Sequence, residues 1–113
     1  MKKINCIIID DEEIDRLMVL SFLKKFENFN VLGIFESASE ALIAIENLEI
    51  DVAFLDIDMP KMNGLEFRKK TTGIPVCIYI TDHPDHLRRH DGWTQSRSRF
   101  RYMAFDVREI NTT

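Results

Sequence analysis

No apolar run in this 113-residue sequence approaches the roughly 20 residues that a membrane-spanning helix needs. The opening residues do not read as a secretory leader either. Met1-Lys2-Lys3 leads into a short strand-like run that ends in acids, too brief and too acidic for a signal peptide, so the chain reads as cytoplasmic. Cysteine is scarce: Cys6 and Cys77 both sit in apolar segments, no CxxC occurs, and the pair reads as small buried hydrophobes. Positive charge does not dominate. With 15 Lys and Arg against 19 Asp and Glu, the net charge of −4 argues against direct nucleic-acid contact, which usually takes a basic face. Lysine is absent after Lys70, and proline after Pro84. A chain of this length holds one core and little more.

What is present is an alternation of strand and helix patterns. Residues Ile4 to Ile9 form a β-branched run that reads as a fully buried strand. From Glu12 to Phe26 the period turns helical, with Ile14, Leu17, Met18, Phe22 and Phe26 predicted as the buried stripe. Asn30 to Phe35 reads as a second strand. Ser37 with Glu40 makes a capping box before a helix striped by Ala41, Leu42, Ile45 and Leu48. Asp51 to Ile57 is a third strand, Gly64 to Lys70 a short amphipathic helix, and Ile74 to Ile80 a fourth strand. This order predicts an α/β fold: a doubly wound parallel sheet with ligands beyond the carboxyl ends of the strands.

Acidic residues sit at two of those ends. Asp10 and Asp11 close the first strand, and Asp56 and Asp58 follow the third. Neighbouring strands would bring the two pairs together, and like charges about 4 Å apart repel by roughly 4 kcal/mol at an effective dielectric of 20. A cation relieves that repulsion. Magnesium suits the donors, since it takes oxygen ligands and binds through one or two carboxylates plus phosphate.

Asp10-Asp11-Glu12 after a β-branched strand, the uninterrupted Leu55-Asp56-Ile57-Asp58-Met59-Pro60-Lys61-Met62-Asn63-Gly64, and Ile80-Thr81 together resemble the receiver domain of two-component response regulators. The resemblance covers about three quarters of the chain and implies a flavodoxin-like fold. It also implies a role for each matching residue. Asp56 would accept a phosphoryl group from a sensor histidine kinase. Asp11 and Asp56 would hold Mg2+ through their side chains, Asp58 through its backbone carbonyl, and Asp10 through the metal's water. Thr81 would donate its hydroxyl to the phosphoryl group, while Pro60 and Gly64 would shape the loop beneath. The stretch from Tyr79 to His86 further resembles receivers of LytTR-type regulators.

The last third departs from that pattern. Residues 1–81 hold seven lysines and two arginines, whereas residues 82–113 hold six arginines and no lysine, all three histidines and the only tryptophan. Residues 1–81 therefore read as the receiver core, and 82–113 as an atypical segment of the same domain or an aberrant tail. A shifted reading frame would produce such a break in residue usage. The family's lysine at the end of a fifth strand has no equivalent, and Arg101, in a possible strand from Phe100 to Val107, is a poor substitute because its planar fork would not sit as a lysine does. Without a fifth strand the fourth becomes an open edge, which invites a homodimer or swapped oligomer.

His83, His86 and His90, with Asp85, share helical spacing that could hold zinc or nickel, but read first as a polar stretch. Arg97, Arg99 and Arg101 likewise read as solvated charge. Two alternatives accompany the phosphorelay reading. One is a pseudo-receiver that keeps the fold and binds proteins without switching. The other, a haloacid-dehalogenase-type phosphatase, also uses Asp-x-Asp after a strand, but Pro60 stands where that family has Thr or Val. A receiver drives its own phosphorylation and turns over no external substrate, so the chain reads as a signalling module.

Overall fold

The computed structural model describes residues 2–81, 94–97 and 102–107. In chain order these form β1 (Ile4–Ile9), α1 (Glu13–Leu23), β2 (Phe29–Phe35), α2 (Ala38–Ala44), β3 (Val52–Asp56), α3 (Gly64–Lys70), β4 (Val76–Thr81), β5 (Thr94–Arg97) and β6 (Tyr102–Val107). The strands make one sheet in the order β2-β1-β3-β4-β6-β5. The first four run parallel, as the strand–helix alternation requires. The last two do not. β6 pairs antiparallel with β4, from Val76↔Val107 to Thr81↔Tyr102, and β5 pairs antiparallel with β6.

Side chains alternate across the sheet and build two cores. On one face Ile7, Ile9, Ala53, Leu55, Cys77 and Tyr79 pack under α2 and α3 through Ala38, Ala41 and Phe67. On the other, Cys6, Ile8 and Phe54 meet Leu23, with Val19, Leu20, Ile78 and Ile80 around them. Both cysteines are buried and unbridged.

Helix α1 turns the other way from the stripe predicted for it. Ile14 is 73% exposed, and Leu17, Met18, Phe22 and Phe26 are exposed too, while Leu23 is buried. The helix carries two apolar faces, and period alone cannot rank them. Arg16 decides the matter: it shares a face with Val19, Leu20 and Leu23, and its Nη1 donates to the Asp10 carbonyl at 2.8 Å. The outer face stays tied to the core by edge-to-face ring contacts running Phe22–Phe26–Phe29–Phe54, with centroids 5.4, 6.0 and 6.1 Å apart.

Three further expectations change. The Ser37 hydroxyl accepts from the Glu40 amide at 3.2 Å, and α2 is shorter than its stripe, leaving Leu48 exposed. The full capping box sits instead at α3, where Asn63 Oδ1 accepts from the Glu66 amide and the Glu66 side chain accepts from the Asn63 amide. The fourth strand is not an open edge either, because β6 covers it; the basis for self-association through β4 is gone. The segment expected to give a strand at 100–107 does so over Tyr102–Val107. His83, Asp85, His86, His90, Arg99 and Arg101 lie outside the described residues, as does the side chain of Arg97. Among the described residues no helix is long and apolar enough to cross a membrane.

Candidate functional site

β1 and β3 are neighbours in register, Ile9 opposite Leu55, so their carboxyl ends deliver Asp10, Asp11 and Asp56 to one place. One carboxylate oxygen from each lies within 4.8 Å of the others. The place is also where strand order reverses, with β2 on one side of β1 and β3 on the other, the crevice in which doubly wound sheets bind ligands. Asp10 is 2% exposed and Asp56 7%, so two of the three carboxylates lie largely out of water, while Asp11 is exposed. Burying neighbouring like charges is costly without a counter-charge. The donor set is all oxygen, and it fits a hard divalent cation such as Mg2+.

The two buried acids are each held by the backbone that follows them. Asp10 Oδ1 accepts from the Glu12 amide at 3.0 Å, which sets the start of α1, and the Asp10 amide donates to the Phe35 carbonyl at 3.1 Å. Asp56 Oδ1 accepts from the Asp58 amide at 3.0 Å, closing a tight turn at the end of β3. Beyond it the loop folds back on itself, with the Met59 and Gly64 amides both donating to the Ile57 carbonyl. Lys61, next to Pro60, takes a left-handed φ of 67°, uncommon for a side chain with a Cβ. Gly64 then starts α3 in close contact with the end of β3. A Cβ there would lie 2.5 Å from the Asp56 carbonyl oxygen and 2.9 Å from Leu55 Cδ1, so nothing larger than glycine fits without moving the helix.

Thr81 ends β4 one residue beyond Ile80, which is opposite Asp56. It is fully buried, and its Oγ1 donates to Asp58 Oδ2 at 3.2 Å. The resemblance to receivers implies a role for Asp58 through its backbone carbonyl only. The structure adds one for its side chain, which joins the Asp56 loop to Thr81. Spacing alone carries no signal for that bond, since it spans two strands.

A groove at the other end of the sheet, bordered by Ile45, Glu49, Lys70, Thr71 and Pro75, is remote from these carboxylates. Its position before β3 and β4 puts it at the strands' amino ends.

Residues 6–92 match the family model described as the response regulator receiver domain. Among curated proteins, a protein-glutamate methylesterase/protein-glutamine glutaminase of Agrobacterium fabrum is 42% identical over 81 residues, covering 71% of this chain and 23% of that protein. Among solved structures, the signal receiver domain of the response regulator NarL from Mycobacterium tuberculosis superposes with a TM-score of 0.65 at 28% identity, covering 74% of this chain and 69% of that one. A chain from the complex of the CheA3 P1 domain with CheY6 from R. sphaeroides gives 0.64 at 28% identity, over 78% and 74% of the two chains. The present chain thus spans less than a quarter of the methylesterase's length.

Proposed function

Because the chain belongs to the response regulator receiver domain family of two-component signalling, we propose that Asp56 is its phosphoacceptor, charged by a sensor histidine kinase in a Mg2+-dependent step. The observation that carries this reading is the meeting of Asp10, Asp11 and Asp56 at the switch point of the sheet. Mg2+ when bound supplies positive charge against the phosphoryl oxygens. Asp11 and Asp56 would hold it through carboxylates, Asp58 through its carbonyl and Asp10 through water.

The transfer itself asks little covalent work of the protein. A carboxylate oxygen of Asp56 bonds to phosphorus as the phosphorus–nitrogen bond of the phosphohistidine breaks, and the departing imidazole takes up a proton from solvent. The product is a mixed anhydride on Asp56. The turn that ties Asp56 Oδ1 to the Asp58 amide holds the carboxylate in one orientation, which supports catalysis by positioning. The close approach of Gly64 to the Asp56 backbone supports its part, with Pro60, in shaping the loop beneath the site. The complex of a CheA3 P1 domain with CheY6 among the similar structures supports a kinase domain as the partner. On this reading the chain works in the cytoplasm, with residues 1–81 as the core and 82–113 as an atypical segment that completes the same sheet through β5 and β6.

A second reading, a non-switching pseudo-receiver that acts by binding proteins, draws on one feature: no lysine follows Lys70. Intact-mass measurement after exposure to acetyl phosphate and Mg2+ separates the two. The proposed function requires one added phosphate, lost in Asp56→Asn. No added mass on a folded chain would favour the pseudo-receiver.

A further inference from the structure

Asp58 touches both ends of the switch. Its amide donates to Asp56 Oδ1 at 3.0 Å, and its carboxylate Oδ2 accepts from Thr81 Oγ1 at 3.2 Å. A threonine hydroxyl has a single proton to donate. It can be given to the Asp58 carboxylate or to an oxygen of a phosphoryl group on Asp56, but not to both. We propose that the Asp58 side chain is a positioning residue, a latch that holds the Thr81 hydroxyl until a phosphoryl group on Asp56 takes it over. This inference rests on the reading of Asp56 as phosphoacceptor.

The two residues differ in a way that suits a latch. Thr81 is fully buried at the end of β4, whereas Asp58 is exposed. Because Asp58 is exposed, water can solvate its carboxylate when the bond breaks. A phosphoryl group on Asp56 also brings negative charge next to Asp58, and repulsion between the two favours release. Before phosphorylation that added charge is not there to favour release. The hydroxyl is therefore kept from sampling the phosphoryl position in the resting chain, and engagement of Thr81 by a phosphoryl group is weakened by the strength of the bond it replaces. Asp58 thus sets the threshold of the switch through its side chain, apart from any service of its carbonyl to a metal.

The test is a double-mutant cycle read by binding of beryllofluoride, a phosphoryl mimic, in the presence of Mg2+. Asp58→Ala removes latch and charge, Asp58→Asn removes the charge and keeps an acceptor, and Thr81→Val removes the donor. With Thr81 present, Asp58→Ala should tighten beryllofluoride about fivefold beyond the tightening it causes beside Thr81→Val, with Asp58→Asn between Ala and wild type. Equal tightening in both backgrounds would mean that charge alone acts, and would overturn the latch. A second measurement needs no ligand: the Thr81 methyl resonance and its χ1-dependent couplings should change in Asp58→Ala and change less in Asp58→Asn. An unmoved Thr81 signal overturns the latch even where the mimic binds. Failure of wild type and Asp58→Ala alike to bind the mimic, with a Thr81 signal that does move, overturns the phosphoacceptor reading and the gating role while upholding the hydrogen bond.

Discussion

Arg68 Nε donates to Asp106 Oδ2 at 2.9 Å, joining α3 to the antiparallel strand β6 across 38 positions of sequence. The Arg68 side chain is 3% exposed and that of Asp106 14%. The rest of the guanidinium is spent on backbone, with Nη1 donating to the Ile74 carbonyl and Nη2 to those of Pro75 and Asp106. This one side chain therefore links the helix that starts behind Asp56, the entry to β4 and the strand that covers β4.

Removing one partner of such a pair strands the other's charge in a dry site. Asp106→Ala should cost about 3 kcal/mol in urea unfolding. Replacing both partners, as in Arg68→Met with Asp106→Leu, should recover part of that loss. A single substitution that costs less than about 0.5 kcal/mol would show that β6 does not depend on the pair.

Helix α1 gives a contrast between its two apolar faces. Leu23→Ala should cost about 2–4 kcal/mol, because it opens a cavity against Cys6, Ile8 and Phe54. Leu17→Ala, on the exposed face, should cost less than about 1 kcal/mol. The reverse order would restore the stripe predicted from periodicity.

That contrast shows where sequence reasoning stops. β1 and β3 were legible because Cys6 to Ile9 and Val52 to Leu55 are continuous apolar runs, and a strand buried on both faces needs nothing else. The acids were legible because topology brings strand ends together. The buried face of α1 was not, since seven of its eleven residues are apolar and the choice fell to Arg16 and the Asp10 carbonyl. Asn63 and Glu66 have the spacing of a capping box, a short local pattern that many loops share by chance. The direction of β6, the Arg68–Asp106 pair and the bond from Thr81 to Asp58 all depend on contacts distant in sequence, which no local pattern encodes.

Cys6 links burial to pH. Desolvation pushes its thiol from 9.0 to about 11. The folded chain then keeps a proton that the unfolded chain releases, so this contribution to stability is whole below about pH 9 and is lost as pH rises towards 11. Across that window the wild type should lose about 2 kcal/mol more than Cys6→Ala, whose constant packing cost drops out of the comparison. Parallel profiles would contradict the assignment. The thiol should also resist alkylation at pH 8 in the folded chain.

Magnesium binding should appear at the three carboxylates, with a dissociation constant on the order of 1 mM, or about −4 kcal/mol. Titration followed by amide resonances should move signals near Asp11 and Asp56 and leave those around Lys70 and Gly73 in place. Asp11→Asn should abolish the effect. Saturable binding that survives this substitution would remove Asp11 from the ligand set.

The most direct measurement is chemical mapping of the phosphoryl group. After exposure to acetyl phosphate and Mg2+, borohydride reduces an aspartyl phosphate to homoserine, and peptide sequencing by mass spectrometry locates the reduced residue. Asp56 lies at the end of β3, beside Asp10 and Asp11, with its Oδ1 held by the Asp58 amide. The account predicts homoserine at position 56 and at no other carboxylate. Homoserine at position 58, or at none in a folded chain, would contradict it.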